Sequence, residues 1–337
     1  MELAKRLCDA YGPAGNEAQV RRIIKEEIKD YCQKIETDVM GNLIAYISPK
    51  TADKAGEGRS EKIMFCAHMD EIGLIVTHID KNGFLRFTNV GGIFPEKILH
   101  QRVVFENGTI GTIGVETKTE TPKPARLDNM FIDIGARNKE EAEKAVRLGD
   151  IASFYQQAVI LNNRLTAKAL DDRIGCFCLI ETIKRIKSNK DELYFVFSVQ
   201  EEVGLRGART GTYTVAPKYA IAVDVTMSGD IPESLKMAVR LGEGVAVKVK
   251  DRAFIAHPFI KDKLISYAEE ADIPYQLEIL ERGTTDASVI QLVKSGVLSG
   301  VLSIPTRYIH SPNELCELDD VENTIKLLCR VAEKGFD

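Results

Sequence analysis

The sequence predicts an α/β protein in which helices flank a mixed, largely parallel sheet and a small β-barrel is inserted into that unit. Amphipathic helical stretches alternate with short apolar runs, as expected for a sheet covered on both faces. Between residues 72 and 164 this alternation stops, and short segments with turn signals replace it. The apolar runs with the length of buried strands are KIMFCA (62–67), ELYFVFSV (192–199), YAIAV (219–223) and GVLSI (300–304).

The chain opens with two predicted helices that are separated by the turn sequence YGPAG. Asn16 is placed to cap the second helix, which is expected to run to about Tyr31. A strand pair turning at Gly41 follows, and then the polar stretch SPKTADKAGEGRSEK (48–62), which is typical of a solvated loop. None of these segments is expected to carry chemistry.

The middle of the chain is predicted to be a separate, mainly β domain. Its turn signals are Asn-Gly and Gly-Gly pairs, and its one helical stretch begins after Asn138, a favourable capping residue. Helix and strand alternation resumes only afterwards. We therefore expect residues 1–71 and 165–337 to form a catalytic α/β domain and residues 72–164 to form the inserted β-barrel.

Composition excludes several classes of function. The 337 residues are 44% apolar and 28% charged, which is ordinary for a globular protein, and no apolar run is long enough to cross a bilayer. The net charge of −5 offers no positive field to nucleic acid or to an anionic membrane surface. Seven scattered cysteines without metal-type spacing indicate reduced thiols, and the first residues lack a signal-peptide pattern, so a cytoplasmic protein is expected.

Polar side chains of two chemical types follow the apolar runs. Ligands of open α/β sheets gather beyond the carboxyl ends of the strands, so these side chains are expected to converge. An acidic pair, Asp171-Asp172, also opens an amphipathic helix. The residues that follow the four runs are His68, the pair Glu201-Glu202, Asp224 and His310.

Imidazole and carboxylate groups are ligands for a divalent ion such as zinc, and five of them could hold two ions if one carboxylate bridges. Asp70 lies on the same face of an extended segment as His68 and is placed to accept its second ring N–H. Of two adjacent glutamates, one can bind metal while the other acts as a base. The remaining histidines, His78, His100 and His257, are expected to have structural or surface roles.

Several motifs resemble the signature segments of the tetrahedral aminopeptidases, dinuclear metallopeptidases once classed in part as endoglucanases. The resemblance covers nearly the whole chain, and the segments occur in the family's order. One departure is Thr284-Thr285, where the family favours glycine, which leaves the role of Asp286 open. The segments are AHMDEIG (67–73), KALDDRIG (168–175), QEEVGLRGA (200–208), VDVT (223–226), GTTDAS (283–288) and YIHSPNE (308–314).

The resemblance implies a role for each site residue. It implies that Asp171 bridges two divalent ions, zinc or cobalt, and that Glu201 is the general base while Asp70 orients a histidine ligand. It also implies that the barrel makes subunit contacts, and that dimers assemble into a hollow dodecamer. The ligands of one ion would be His68, Asp171 and Asp224, and those of the other Asp171, Glu202 and His310.

The expected reaction is metal-dependent hydrolysis of the N-terminal peptide bond of short peptides. A related deacylase of N-acyl amino acids would use the same metals and base, so the sequence separates the two poorly. An endoglucanase would need two carboxyl groups and no metal, and a non-enzymatic assembly protein would need no complete ligand set. The sequence leaves the preferred N-terminal residue, the physiological metal and the working oligomer open.

Overall fold

A computed structural model of the protein describes residues 1–50, 60–116, 126–234 and 236–336. Most of the predicted solvated loop, residues 51–59, lies outside this range. The described helices are α1 (Glu2–Asp9), α2 (Ala18–Ile28), α3 (Pro95–Ile98), α4 (Lys139–Ala145), α5 (Leu170–Arg185), α6 (Arg206–Val215), α7 (Pro258–Glu270), α8 (Ala287–Ile290) and α9 (Leu318–Lys334).

A large mixed sheet contains eleven of the described strands. Its order is β1-β2-β12-β3-β13-β16-β17-β11-β10, and β14 pairs with β16 and carries β15 on its other side. The strands are β1 (Lys34–Thr37), β2 (Leu43–Ile47), β3 (Lys62–His68), β10 (Val159–Leu161), β11 (Arg164–Ala167), β12 (Glu192–Ser198), β13 (Tyr219–Met227), β14 (Val245–Lys250), β15 (Tyr275–Ile279), β16 (Leu298–Arg307) and β17 (Glu314–Glu317).

The predicted α/β class with a mixed sheet is confirmed, and each of the four apolar runs lies in a central strand. The neighbours β12, β3, β13 and β16 are all parallel, whereas the pairs outside this centre are antiparallel except for β14 with β15. The parallel character is therefore concentrated where helices cover both faces. That is also where a parallel sheet must bury both of its sides.

Side chains of the central strands alternate between two apolar layers. On one face, β3 contributes Ile63 and Phe65 to a core that includes residues of α1, α2, α5, α7 and α9. On the other face, Met64 and Cys66 pack with residues of α6 and α8. At the end of β3, His68 lies in register with Ser198 of β12 in the parallel pairing of the two strands.

A closed barrel of six antiparallel strands confirms the predicted inserted β-barrel fold. Its order is β4-β5-β8-β7-β6-β9, and it encloses its own apolar core. The first and last strands close the barrel by pairing Leu74 with Ala152 and Ile75 with Ile151. The strands are β4 (Gly73–Ile79), β5 (Leu85–Val90), β6 (Arg102–Phe105), β7 (Ile110–Val115), β8 (Met130–Asp133) and β9 (Ile151–Phe154).

Two local predictions are confirmed, and one is wrong. The strands β1 and β2 pair around Gly41, and the Asn138 side chain caps α4 by accepting from Glu141 N. Asn16, however, does not cap α2, which begins at Ala18 after Glu17. The Glu17 carboxylate instead accepts from Gly15 N and Gln200 N, so it ties this turn to the site region.

Two further observations concern the chain as a whole. The seven cysteines all fall within the described ranges, and each is a free thiol. Among the helices of the described ranges, none is long and apolar enough to cross a membrane.

Candidate metal centre

Two groups of potential metal ligands share one residue, Asp171. In each group one ligand atom per residue lies within 4.8 Å of the others. The structure thus brings together all five ligands expected from the sequence. The first group is His68, Asp171 and Asp224, and the second is Asp171, Glu202 and His310.

The carboxylate of Asp171 lies between the two imidazoles. Its Oδ1 is 3.0 Å from His68 Nε2, and its Oδ2 is 3.4 Å from His310 Nε2. His310 Nε2 is also 3.3 Å from an oxygen of Glu202. Each oxygen of Asp171 therefore faces a different group, which is the geometry that a bridging carboxylate requires.

The main sheet places these side chains. His68 ends β3, Asp224 lies in the last part of β13, and Glu202 follows the end of β12. His310 follows β16 and has a left-handed backbone with a φ of 58°. Because β3, β12, β13 and β16 run parallel, their carboxyl ends lie at one edge, as the sequence predicts.

Asp171 and Asp172 begin α5 in sequence, but their backbone is not helical. Asp171 has φ −76° and ψ 105°, and Asp172 has φ −117° and ψ 39°. The expectation that the acidic pair forms a helix start is therefore only partly met. The two carboxylates have different partners on this non-helical backbone: Asp172 accepts from His68 N and Gly175 N, whereas Asp171 faces the imidazoles.

Asp70 makes more contacts than the sequence indicated. Its Oδ1 is 3.5 Å from His68 Nδ1, and the same ring nitrogen is 3.2 Å from the Asp70 carbonyl oxygen. The two oxygens of Asp70 also accept from the backbone N–H groups of Glu201 and Glu202, at 2.9 and 3.1 Å. One fully buried carboxylate therefore joins the β3 end to the turn that carries the glutamate pair.

Glu201 belongs to neither ligand group. Its Oε2 lies 4.0 Å from His68 Nε2, and its side chain is 12% exposed. Burial raises the pKa of Glu201 well above its ordinary value, and the nearby Asp224 carboxylate acts in the same direction. Glu201 is therefore a largely buried carboxyl group that lies next to the ligands and belongs to neither group.

The pKa values of the imidazoles and of the buried acids are shifted by one another and by burial. Burial disfavours a charged His310, but Glu202 and Asp171 outweigh it and raise the pKa of His310 to about 12. Burial raises the pKa of Asp224 well above its ordinary value, and Asp171 adds to this. The buried acids outnumber the imidazoles, so a bound positive charge would stabilise their ionised forms. Histidine and carboxylate donors arranged around a shared carboxylate fit divalent ions.

Three buried acids near the ligands had no role assigned from the sequence. Glu314 accepts from Asp171 N at 2.9 Å and from His310 N at 2.8 Å, so it holds the backbone of two ligands. Asp172 holds the backbone of His68, as described above. Asp286 accepts from the Ser198 hydroxyl at 2.6 Å. Each of the three stands in one of the motif segments, KALDDRIG, GTTDAS and YIHSPNE, but no spacing indicated which group it would contact.

A buried charge cluster anchors the segment between His68 and the barrel. Lys168 Nζ donates to both carboxylate oxygens of Glu71, and Arg173 Nη2 lies 3.4 Å from one of them. Arg173 also donates to the carbonyl oxygens of Leu7, Ala10, Gly12 and Met69. All three charged side chains are buried. The cluster fixes the chain on both sides of Asp70.

Comparison with known structures first defines the class of protein. The fold superposes on an aminopeptidase from the archaeon Desulfurococcus kamchatkensis with a TM-score of 0.94 at 41% identity, covering 99% of this chain and 94% of that one. The TET1 peptidase of Pyrococcus horikoshii, described as assembling into a tetrahedron or a large octahedral shell, superposes with a TM-score of 0.88 at 35% identity, covering 99% of each chain. The protein has the fold of an aminopeptidase.

The sequence then identifies the family. The chain belongs to the M42 glutamyl aminopeptidase family, whose model matches residues 49–327. A putative aminopeptidase of Acetivibrio thermocellus is 48% identical over 327 residues, which cover 97% of this chain and 96% of that one. The resemblance to the tetrahedral aminopeptidases that the motifs indicated is confirmed.

Proposed function

We propose that the protein is a dinuclear metallo-aminopeptidase that hydrolyses the N-terminal peptide bond of short peptides. The single observation that carries this proposal is the sharing of Asp171 by two ligand groups. Family membership supplies the reaction class, and the shared carboxylate supports a pair of ions rather than one. The preferred N-terminal residue stays open.

The ligands would be divided between the two ions as the motifs imply. His68 and Asp224 would hold one ion, Glu202 and His310 the other, and Asp171 would bridge them. This set of imidazole and carboxylate donors suits zinc or cobalt. When bound, two divalent ions lower the pKa of a water molecule from about 16 to roughly 7 and polarise the scissile carbonyl.

Glu201 would act as the general base and then as the general acid. Its carboxylate accepts a proton from the attacking water, and the resulting carboxylic acid gives that proton to the leaving amine. The burial that raises its pKa supports this role, because it favours the protonated carboxyl group that gives the proton to the leaving amine. Asp70 would position this base and the adjacent ligand through their backbone N–H groups.

We further propose that the chain has two domains with different functions. Residues 1–71 and 165–337 would form the catalytic domain, and residues 72–164 a barrel domain that contacts another subunit. The relative from Pyrococcus horikoshii assembles into closed shells, which supports self-association into dimers and a tetrahedral dodecamer here. Free cysteines are typical of a reducing compartment, which supports a cytoplasmic location.

Substitution of Glu201 tests the base assignment. We expect Glu201→Gln to bind as much metal as the wild type but to lose at least about a hundredfold in turnover. Metal content is measured by elemental analysis, and turnover with aminoacyl chromogenic substrates after zinc, cobalt or manganese is restored to the stripped enzyme. The exposed Glu26 of α2 offers a matched control, since Glu26→Gln makes the same change in a side chain that pairs with Lys29 rather than with a ligand. Wild-type turnover in Glu201→Gln would exclude this role.

A second assay separates the aminopeptidase from a deacylase. A short peptide with a free amino terminus is compared with its N-acetylated form, with and without chelator. Chelator-sensitive cleavage of the free peptide alone supports the proposal. Preference for the acetylated form would support the deacylase instead.

A further inference from the structure

One turn of the barrel lies against one of the two ligand groups. The turn after β5 contains Gly91 and Gly92, and neither has room for a side chain. A Cβ on Gly91 would lie 3.1 Å from Glu202 Oε2, and a Cβ on Gly92 would lie 2.6 Å from His310 Nδ1. Both contacts involve the second group, which places the barrel backbone directly against Glu202 and His310.

A second contact comes from α3, the short helix that follows this turn. Lys97 is half-buried, and its Nζ donates to the carbonyl oxygen of Ile309 at 2.7 Å. The Phe94 ring lies 4.4 Å from the same ammonium group and supports it from the side. Ile98, the next residue, is fully buried in the barrel core, so Lys97 is fixed to the barrel rather than to the main sheet.

The backbone that Lys97 holds is a strained one. Tyr308 and His310 both have left-handed φ angles, 61° and 58°, which side-chain-bearing residues seldom adopt. Such a conformation persists only when surrounding contacts determine it. Glu314 supplies one such contact by accepting from His310 N, and Lys97 supplies another through Ile309.

We infer that Lys97 and the Gly91-Gly92 turn of the barrel are positioning elements for His310, and that they set the occupancy of the Glu202/His310 metal position separately from the other. The inference rests on the proposed dinuclear centre. The three atoms closest to a Cβ on either glycine belong to Ile72, Glu202 and His310, so the turn lies nearest to the second group. The barrel thus contributes to the metal centre without providing a ligand.

Zinc titration of the metal-stripped protein tests this inference without relying on activity. Two variants are compared with the wild type by calorimetry and elemental analysis: Lys97→Met, which removes the donor, and Gly92→Ala, which adds a methyl group against the imidazole. Lys139→Met changes a partly exposed lysine of the same domain that pairs with Glu143. Gly108→Ala adds a methyl group that meets no atom within 4 Å, so it controls for replacement of a barrel glycine; its φ of 87° adds a backbone strain that Gly92→Ala does not impose.

We expect the wild type and both controls to bind two zinc ions. Each test variant should bind one ion with wild-type affinity and the second at least about tenfold more weakly, the usual cost of losing a contact that orients a ligand. Two ions bound with wild-type affinity by either test variant would overturn the inference. So would a parallel weakening of both ions, or loss of one ion in Gly108→Ala. A wild type that binds fewer than two ions would instead refute the dinuclear centre itself.

Discussion

Replacement of Glu71 by glutamine tests whether the buried charge cluster stabilises the fold around the site. Glu71 accepts from Lys168 Nζ at 2.8 and 2.7 Å and from Gly12 N at 3.1 Å. Glutamine keeps the volume and one acceptor oxygen, but it removes the negative charge between two buried cations. Arg173 retains its bonds to backbone carbonyl groups, whereas Lys168 keeps the Ala10 carbonyl oxygen and at most the one amide oxygen of the glutamine.

The magnitude can be bounded from both sides. Breaking a buried ion pair by removing one partner typically costs about 3–5 kcal/mol. The loss of stability has an upper limit because Lys168 can lose its proton instead of staying charged. At pH 7, removing the proton costs about 1.36 kcal/mol for each of the roughly 3.4 pH units below the ordinary lysine pKa, or about 5 kcal/mol in all. The arginine keeps most of its partners, so we expect a loss of about 3–4 kcal/mol. At about 2 °C per kcal/mol for a unit of this size, Tm falls by about 6–8 °C.

The assay is thermal unfolding in chelator, so that metal occupancy does not differ between variants. Glu322→Gln is the matched control, because its ion pair with Arg185 is exposed and is worth at most about 1 kcal/mol. A decrease in Tm no larger than that of the control would refute the reasoning. The double variant Glu71→Gln/Lys168→Met should recover part of the loss, since it removes the uncompensated charge.

The dependence of this loss on pH has a definite sign. Burial already lowers the pKa of Lys168, and losing the Glu71 carboxylate lowers it further. Between the pKa of Lys168 in the variant and its higher pKa in the wild type, only the folded variant has lost the proton, so the stability of the variant rises with pH relative to the wild type. The difference in Tm should therefore shrink as the pH rises above neutrality towards the ordinary lysine pKa.

Two further predictions concern the site and the edge of the sheet near it. Asp171→Ala should release or disorder both metal ions, because it removes the shared ligand, and a normal metal content by elemental analysis would contradict the bridging role. Asp230 receives two hydrogen bonds from Arg307, and although burial opposes it, this pairing lowers the pKa of Asp230 to about 2. The pairing stabilises the fold above the ordinary aspartate pKa, and this stabilisation is lost as the pH falls through about 2. The decrease in Tm caused by Asp230→Asn should therefore become smaller between pH 4 and pH 2. An unchanged decrease would count against this pairing.

Much of the fold could be predicted from the sequence because the features that indicate it lie within short segments. The four apolar runs predicted β3, β12, β13 and β16, and the turn signals predicted a separate β unit that closes into a barrel. The cap of α2 failed for a physical reason: Glu17, the residue after Asn16, binds backbone N–H groups of the turn and of Gln200. A local capping rule does not include that distant partner.

The candidate ligands could be predicted for a similar reason, since four of them follow a predicted strand and the fifth, Asp171, stands at the start of a predicted helix. What the sequence did not indicate depends on contacts across long stretches of chain. Glu314 holds Asp171 from 143 residues away, and Lys97 holds Ile309 from 212 residues away. No spacing rule relates such pairs, so their roles appear only when the barrel and the sheet are seen together.

The pairing of the first and last barrel strands has a consequence for how the chain folds. Leu74 and Ala152 are direct neighbours, so once the barrel has formed, the chain leaves and returns at nearly the same place. The free-energy cost of closing a loop grows as about 1.5RT times the logarithm of its length. If the barrel folds first, the long segment between β3 and β11 therefore acts as a short connection. The strands β3 and β11 on either side of it can then meet the rest of the sheet as if they were close in sequence.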